Sequence, residues 1–333
     1  MNNYAANPNR YSSEVMGHRR CGRSGLILPE IALGLWHNFG SVDVYDVYKA
    51  IAYKAFDEGV FHFDLANNYG PEPGSAERNF GQILRDGLAR YRDELIISTK
   101  AGYLMWPGPY GDGGSRKYLF ASLEQSLQRM GLDYVDIFYH HRPDQTTDLH
   151  ETMQALTDIV RQGKALYVGL SNYDATQFKE AQAILQANGT PCVLHQGRYS
   201  MLDRKWESSL LPLLQEEEVG FIAFSPLAQG MLTDRYLHGI PADSRAGKDS
   251  GYLKPEQVSP EVMVKVQQLH ALALERGQSL AQMAIGWLLQ KQQVTSVLLG
   301  ASSVAQLDAN LKSRQGASFS SEELNLIQSI LEQ

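Results

Sequence analysis

Val60-Phe61-His62-Phe63-Asp64-Leu65-Ala66-Asn67-Asn68-Tyr69-Gly70 is an apolar run that stops on a carboxylate and gives way to a polar loop. Residues 60–64 read as a buried strand: Val and Phe suit a covered, pleated surface, and the run is too short for a helix. The pattern recurs. Leu95-Ile96-Ile97-Ser98-Thr99 is followed by Lys100, and Tyr134-Val135-Asp136-Ile137-Phe138-Tyr139 by His140-His141. Further runs lie at 31–34, 165–170, 192–195, 219–224 and 296–300. Between them, apolar residues recur at spacings of three or four: Val44, Tyr48, Ile51 and Ala55; Leu119, Leu123, Leu127 and Met130; Leu149, Met153, Leu156 and Val160. These are helix stripes that face a sheet.

Eight strand runs alternating with helices predict an α/β fold, a (β/α)₈ TIM barrel. The runs are continuously apolar rather than alternating, as strands covered on both faces should be. A doubly wound sheet would want G-x-G-x-x-G after its first strand. None occurs, although the chain has 29 glycines. Arg19-Arg20-Cys21 and Leu26-Ile27-Leu28 flank Gly22-Arg23-Ser24-Gly25 and predict an N-terminal β-hairpin. Residues 1–15 read as a polar tail and 16–333 as one barrel domain. Three long loops, 67–75, 103–115 and 227–257, should crowd the C-terminal rim, where barrel active sites lie. The last carries Arg235, Arg245, Lys248 and Lys254.

The 333 residues are 43% hydrophobic and 20% charged, with a net charge of -7, which suits a globular domain and gives no support for nucleic-acid binding. Two isolated cysteines, Cys21 and Cys192, point to reduced thiols. No run reaches the ~18 apolar residues of a membrane span, and the first residues lack the apolar core of a signal peptide. A cytoplasmic protein with no membrane partner is expected. No H-E-x-x-H or comparable cluster appears, so no metal site is expected.

Asp64, Tyr69, Lys100 and His141 close, or closely follow, successive strands, and so should meet on one rim. Singly, each has a commoner explanation: a loop cap, a packed ring, a solvated ammonium, a loop histidine. Together they can build an acid for carbonyl chemistry. A tyrosine hydroxyl, with a pKa near ~10, is a poor donor at neutral pH. An ammonium beside it, Lys100, should lower that pKa, and Asp64 should hold the ammonium in place. His141 can donate a hydrogen bond to a substrate oxygen. His62, between two Phe, is expected in the core. Trp36, His37, Phe39 and Trp106 could wall a substrate pocket, and Arg142 could attract a substrate phosphate.

Several segments resemble the aldo-keto reductase superfamily. They are Gly34-Leu35-Trp36, Phe63 to Gly70, Ser98-Thr99-Lys100, Asp136 to Pro143 and Gly169-Leu170-Ser171-Asn172. His195-Gln196, Phe224-Ser225-Pro226-Leu227 and Gly300-Ala301-Ser302 follow. The match runs in order from about Tyr11 to the C-terminus. It implies a barrel that binds a nicotinamide cofactor in extended form, with Tyr69 as acid, Lys100 and Asp64 tuning it, and His141 orienting the carbonyl. It further implies that Ser171, Asn172 and Gln196 hold the carboxamide. Ser225, Pro226, Leu227, Ala228 and Gln229 would cover the pyrophosphate. Gly34, Leu35, Trp36, Asp64, Phe224 and Gly300 complete the expected cofactor set.

Within the superfamily the chain looks most like the branch of bacterial L-glyceraldehyde 3-phosphate reductases and potassium-channel β-subunits. The β-subunits typically carry Asn where this chain has His141, which favours a reductase. Many NADPH-dependent relatives place Lys or Arg just after the last strand. Here that stretch carries no positive charge, and the branch's alternative is Ser302, Gln306 and Asn310 with Arg235 and Arg245. The resemblance thus implies NADPH ahead of NADH, a small aldehyde such as L-glyceraldehyde 3-phosphate or methylglyoxal, and a homo-oligomer. A regulatory NADP-binding subunit with little turnover is the rival from another class, and a barrel isomerase or aldolase is a third reading.

Overall fold

The computed structural model describes residues 4–242, 244–247 and 253–333. Lys248 lies outside the described residues. A hairpin, β1 (His18–Arg20) and β2 (Ile27–Pro29), precedes eight strands: β3 (Ile31–Gly34), β4 (His62–Asp64), β5 (Ile96–Ala101), β6 (Val135–His140), β7 (Ala165–Ser171), β8 (Cys192–Arg198), β9 (Gly220–Phe224) and β10 (Ser296–Leu299). All eight pair in parallel and close into a barrel in chain order, β10 returning to β3. This is the (β/α)₈ barrel with an antiparallel hairpin ahead of it.

The first helices around the barrel are α1 (Tyr45–Asp57), α2 (Ser75–Ile83), α3 (Arg116–Met130), α4 (Leu149–Arg161) and α5 (Ala175–Ala187). There follow α6 (Leu210–Glu216), α7 (Pro260–Glu275), α8 (Leu280–Leu289), α9 (Val304–Leu311) and α10 (Ser321–Leu331). The stripe of α3 is fully buried, as its spacing requires. That of α1 starts at Tyr48: Val44 stands outside the helix as its N-cap and is exposed. Side chains cap several of the helix starts. Ser115 Oγ accepts from Tyr118 N, and Asp174 and Gln177 form a reciprocal box at the start of α5. Among the described residues no helix is long and apolar enough to cross a membrane.

Two apolar layers result. Strand residues and helix stripes fill the space between barrel and helices. Inside the barrel, Ala32, Ile137, Tyr139, Leu194, Ile222 and Leu298 pack with Cys21, Leu26 and Leu28, so the hairpin plugs one end. Tyr139 is the largest of these, and Gly169 makes room for it: a Cβ there would lie 2.3 Å from the Tyr139 ring. Tyr4, Asn7 and Arg10 lie against α1. Tyr4 stacks on Tyr53 at 4.0 Å, and Asp57 accepts from Tyr4 OH and Asn7 N.

The register sets the rim. Gly34 pairs with Asp64, Lys100 with Tyr139, Ser171 with Gln196 and Arg198 with Phe224. Lys100 lies within β5 rather than after it, and β8 runs three residues past the expected end at His195.

Candidate active site

The rim opens into a cleft of about 960 Å³ that Asp64, Tyr69 and His141 line, with Lys100 directly behind them. That volume sits at the upper end for small-molecule sites. Asp64 and Lys100 are fully buried, with Oδ2 and Nζ 2.5 Å apart. Lys100 Nζ also donates to Leu65 O at 2.6 Å and to Tyr69 OH at 3.3 Å. An ammonium has three N–H groups, and all three have acceptors. Because Tyr69 oxygen accepts from Lys100, its own proton is left for an oxygen in the cleft. Asp64 Oδ1 accepts from Ser98 Oγ at 2.7 Å and Gln196 Nε2 at 3.1 Å. His62 is buried as expected, and it is also wired in, with Nε2 2.9 Å from Ser98 Oγ. Since Ser98 gives its proton to Asp64, His62 Nε2 must be the donor.

The electrostatics correct one sequence argument. Burial pushes the Tyr69 phenol well above its ordinary pKa, and the Asp64 charge pushes the same way. Lys100 does not reverse this because Asp64 sits closer to it and cancels its charge. Burial also lowers the Lys100 pKa, with Asp64 opposing that shift. His141 is held well below its usual pKa by burial, then by Lys100, His140 and Arg142. At neutral pH the site therefore holds a neutral phenol, a neutral imidazole and a mutually compensated ion pair.

His141 is fixed through its backbone, N to Ala101 O at 2.9 Å and O from Asn172 Nδ2 at 3.0 Å. Its Nδ1 is buried without a partner among the described residues, which leaves Nε2 as the ring nitrogen available to the cleft. Tyr103 stands edge-on to the ring at 4.7 Å and Tyr69 at 5.8 Å.

Most residues expected around a cofactor line this cleft. Gly34, Trp36 and Asp64 do so on one side, Asn172, Gln196 and Phe224 on another. Ser225, Pro226, Leu227 and Gln229 follow β9, and Gly300, Ser302 and Gln306 follow β10. Arg235 and Arg245 come from the segment after β9. Burial lowers the Arg245 pKa, as does its like-charged neighbour Arg235. Leu35, Ser171 and Asn310 are buried behind the lining, and Ala228 sits between two lining residues. His37 lines the cleft beside Trp36, with ring centroids 4.0 Å apart. Its pKa falls to about 4 through burial and the Arg245 charge.

Trp106 and Arg142 are not brought to the cleft. Trp106 packs on Tyr118 at 5.5 Å. Arg142 donates from Nε to Gly102 O at 2.7 Å and from its terminal nitrogen to Asp112 Oδ1 at 2.8 Å, which pins the 103–115 loop. Conversely, Asn38, Tyr103, Arg198, Lys205 and Thr233 line the cleft and were not anticipated. Arg198 was legible in principle. It lies two residues past Gln196 on one strand, hence on the same face.

The backbone fits a bound cofactor. Asn172, Ser225, Ala228 and Gln229 all have positive φ, between 46° and 62°, which is costly for residues with a Cβ. Their clustering on one wall, with Gln229 Oε1 buried and lacking a partner among the described residues, is what a site shaped to hold a ligand would show.

Residues 30–332 match the model of the aldo/keto reductase family, and the chain belongs to that family. Members generally use NAD(P)H, and the protein is an oxidoreductase. It is 54% identical over 326 residues to L-glyceraldehyde 3-phosphate reductase of Escherichia coli O157:H7, covering 96% of this chain and 93% of that one. It is 53% identical over the same length to the protein of that name from strain K12. A probable voltage-gated potassium channel subunit beta of Oryza sativa subsp. japonica is 39% identical over 306 residues, 89% of this chain and 90% of that one.

Proposed function

We propose that the chain is an NADPH-dependent reductase of small aldehydes, with L-glyceraldehyde 3-phosphate its leading substrate and methylglyoxal a second. The observation that carries the chemistry is the saturation of Lys100: its N–H groups meet Asp64, Leu65 O and Tyr69 OH, so the Tyr69 proton faces the cleft. The bound nicotinamide would supply hydride to the carbonyl carbon. Tyr69 then gives its proton to the developing alkoxide, and the aldehyde leaves as a primary alcohol. The raised Tyr69 pKa keeps the phenol protonated until that charge develops. Neutral His141 donates from Nε2 to the carbonyl oxygen and polarises it. Asp64, steadied by Ser98 and Gln196, holds Lys100 in place.

The 54% identity to an L-glyceraldehyde 3-phosphate reductase supports the substrate assignment. Arg235 and Arg245 on the cleft wall support NADPH, whose extra phosphate carries a charge of roughly -1.5 to -2. Operation as a cytoplasmic homo-oligomer belongs to the same proposal.

The test follows NADPH oxidation with racemic glyceraldehyde 3-phosphate, methylglyoxal and 4-nitrobenzaldehyde. Tyr69→Phe should lower kcat by about 100- to 10,000-fold while NADPH still binds. Wild-type protein that binds NADPH and turns over no aldehyde would move the assignment to a regulatory subunit.

A further inference from the structure

The chain carries a net charge of -7, yet Arg198, Lys205, Arg235 and Arg245 all line one cleft. The carboxylate among the lining residues is Asp64, and Lys100 neutralises it. A cleft of one sign in a molecule of the opposite sign concentrates counter-charged ligands. Arg235 and Arg245 are read above as cofactor contacts, which leaves Arg198, at the end of β8, and Lys205, in the segment that follows it, without a task.

Neither has a carboxylate partner among the described residues. Arg198 makes no side-chain hydrogen bond or ion pair there, and Lys205 lies over the Trp206 ring at 4.4 Å. Nearby cations are used differently: Arg204 pairs with Glu207, and Lys291 reaches the same carboxylate. Arg198 ends β8, opposite Phe224, and shares a strand face with Gln196, which touches Asp64. Two strand residues span about 7 Å, so Arg198 rises one step above the floor where a carbonyl would react. That is where the far end of a short phosphorylated aldehyde would extend. Arg142, the other candidate for that phosphate, is outside the cleft and bonded to Gly102 O and Asp112.

We propose that Arg198 and Lys205 form the subsite for the substrate's phosphate and so set preference for phosphorylated over unphosphorylated aldehydes. The proposal rests on the reductase reading for its substrate, though not for its anion. Arg198 offers a planar fork to two phosphate oxygens, and Lys205 adds a point charge.

The experiment compares wild type with Arg198→Gln, Lys205→Gln, the double variant and Arg198→Lys. Steady-state kinetics with saturating NADPH use glyceraldehyde 3-phosphate and glyceraldehyde. The phosphorylated-to-unphosphorylated ratio of kcat/KM should fall about 10- to 100-fold in the double variant, through KM, with Arg198→Lys between. An unchanged ratio overturns the proposal. So does equal weakening of NADPH and NADH binding in the double variant with the ratio unchanged, which would assign the pair to the cofactor's pyrophosphate. Calorimetric titration of the NADPH-bound protein with glycerol 3-phosphate, against glycerol, pairs two already reduced ligands and so reads the anion site without turnover. Selective binding lost in the double variant supports the subsite even if no aldehyde is reduced. Equal binding by wild type and double variant overturns it.

Discussion

Asp64 and Lys100 form a fully buried pair 2.5 Å apart, so removing one partner should cost far more than removing both. In Lys100→Met, Asp64 keeps Ser98 Oγ and Gln196 Nε2 but loses its counter-charge. In Asp64→Asn, Lys100 keeps Leu65 O and Tyr69 OH. At an effective dielectric of about 20, the direct attraction at this distance is about 7 kcal/mol, offset by several kcal/mol of desolvation for each ion. Each single change should therefore destabilise by about 3–5 kcal/mol, because it leaves an uncompensated buried charge. The double change removes both charges and should cost about 0–2 kcal/mol. Urea unfolding, followed by intrinsic fluorescence, gives the three values at the wild-type slope. The cycle should show non-additivity of several kcal/mol. Single-variant costs that simply add in the double, within about 0.5 kcal/mol, would refute the claim that the charges stabilise each other. Turnover behaves differently: all three variants should lose it, since the ammonium that orients Tyr69 is misplaced or gone.

His62, His140 and His195 are fully buried, and burial lowers their pKa values to about 4, 4 and 3. The unfolded chain binds protons at these sites below about pH 6.5, while the folded chain does not, so stability falls as pH drops from about 6.5 toward 4. His62 and His140 each contribute a loss of about 3 kcal/mol by pH 4, and His140→Gln should flatten a plot of urea midpoint against pH. Gly169→Ala drives a Cβ into the buried Tyr139 ring and should cost about 1–3 kcal/mol in urea unfolding. Activity should fall as well, because Lys100 Nζ lies 5.7 Å over that ring. Arg142→Ala removes the tether that binds Gly102 O and Asp112 and so pins the 103–115 loop, and KM should rise alike for phosphorylated and unphosphorylated aldehydes. A selective rise would restore Arg142 as a phosphate contact.

The barrel was legible because its strands are short, apolar and covered on both faces, so composition alone marks them. The meeting of Asp64, Tyr69, Lys100 and His141 followed from strand ends sharing a rim. What escaped depends on tertiary context. Arg198 was missed because residues 196–198 are not apolar; pairing with Gly220–Phe224 extends the strand regardless. Arg142 is drawn away from the cleft by partners no local pattern reveals, Gly102 and Asp112, some 30 to 40 residues earlier in the chain. The direction of the Tyr69 pKa could not be read from residue types, since proximity to Lys100 argues one way and burial beside Asp64 the other.

That direction bears on how the cleft divides its labour. A depressed Tyr69 pKa would give a phenolate at rest, which accepts protons and suits alcohol oxidation. A raised one keeps the proton until hydride arrival makes the substrate oxygen basic, so the donor acts only as the alkoxide forms. Neutral Tyr69 and His141 add no fixed charge beside the carbonyl, and Asp64 cancels Lys100. The floor is thus close to electroneutral, and the positive charge stands on the walls, where Arg198, Lys205, Arg235 and Arg245 line the cleft. Under the proposed function the walls would hold the anionic ends of cofactor and substrate, and the hydrogen bonds of Tyr69 and His141 would act on the carbonyl at the floor.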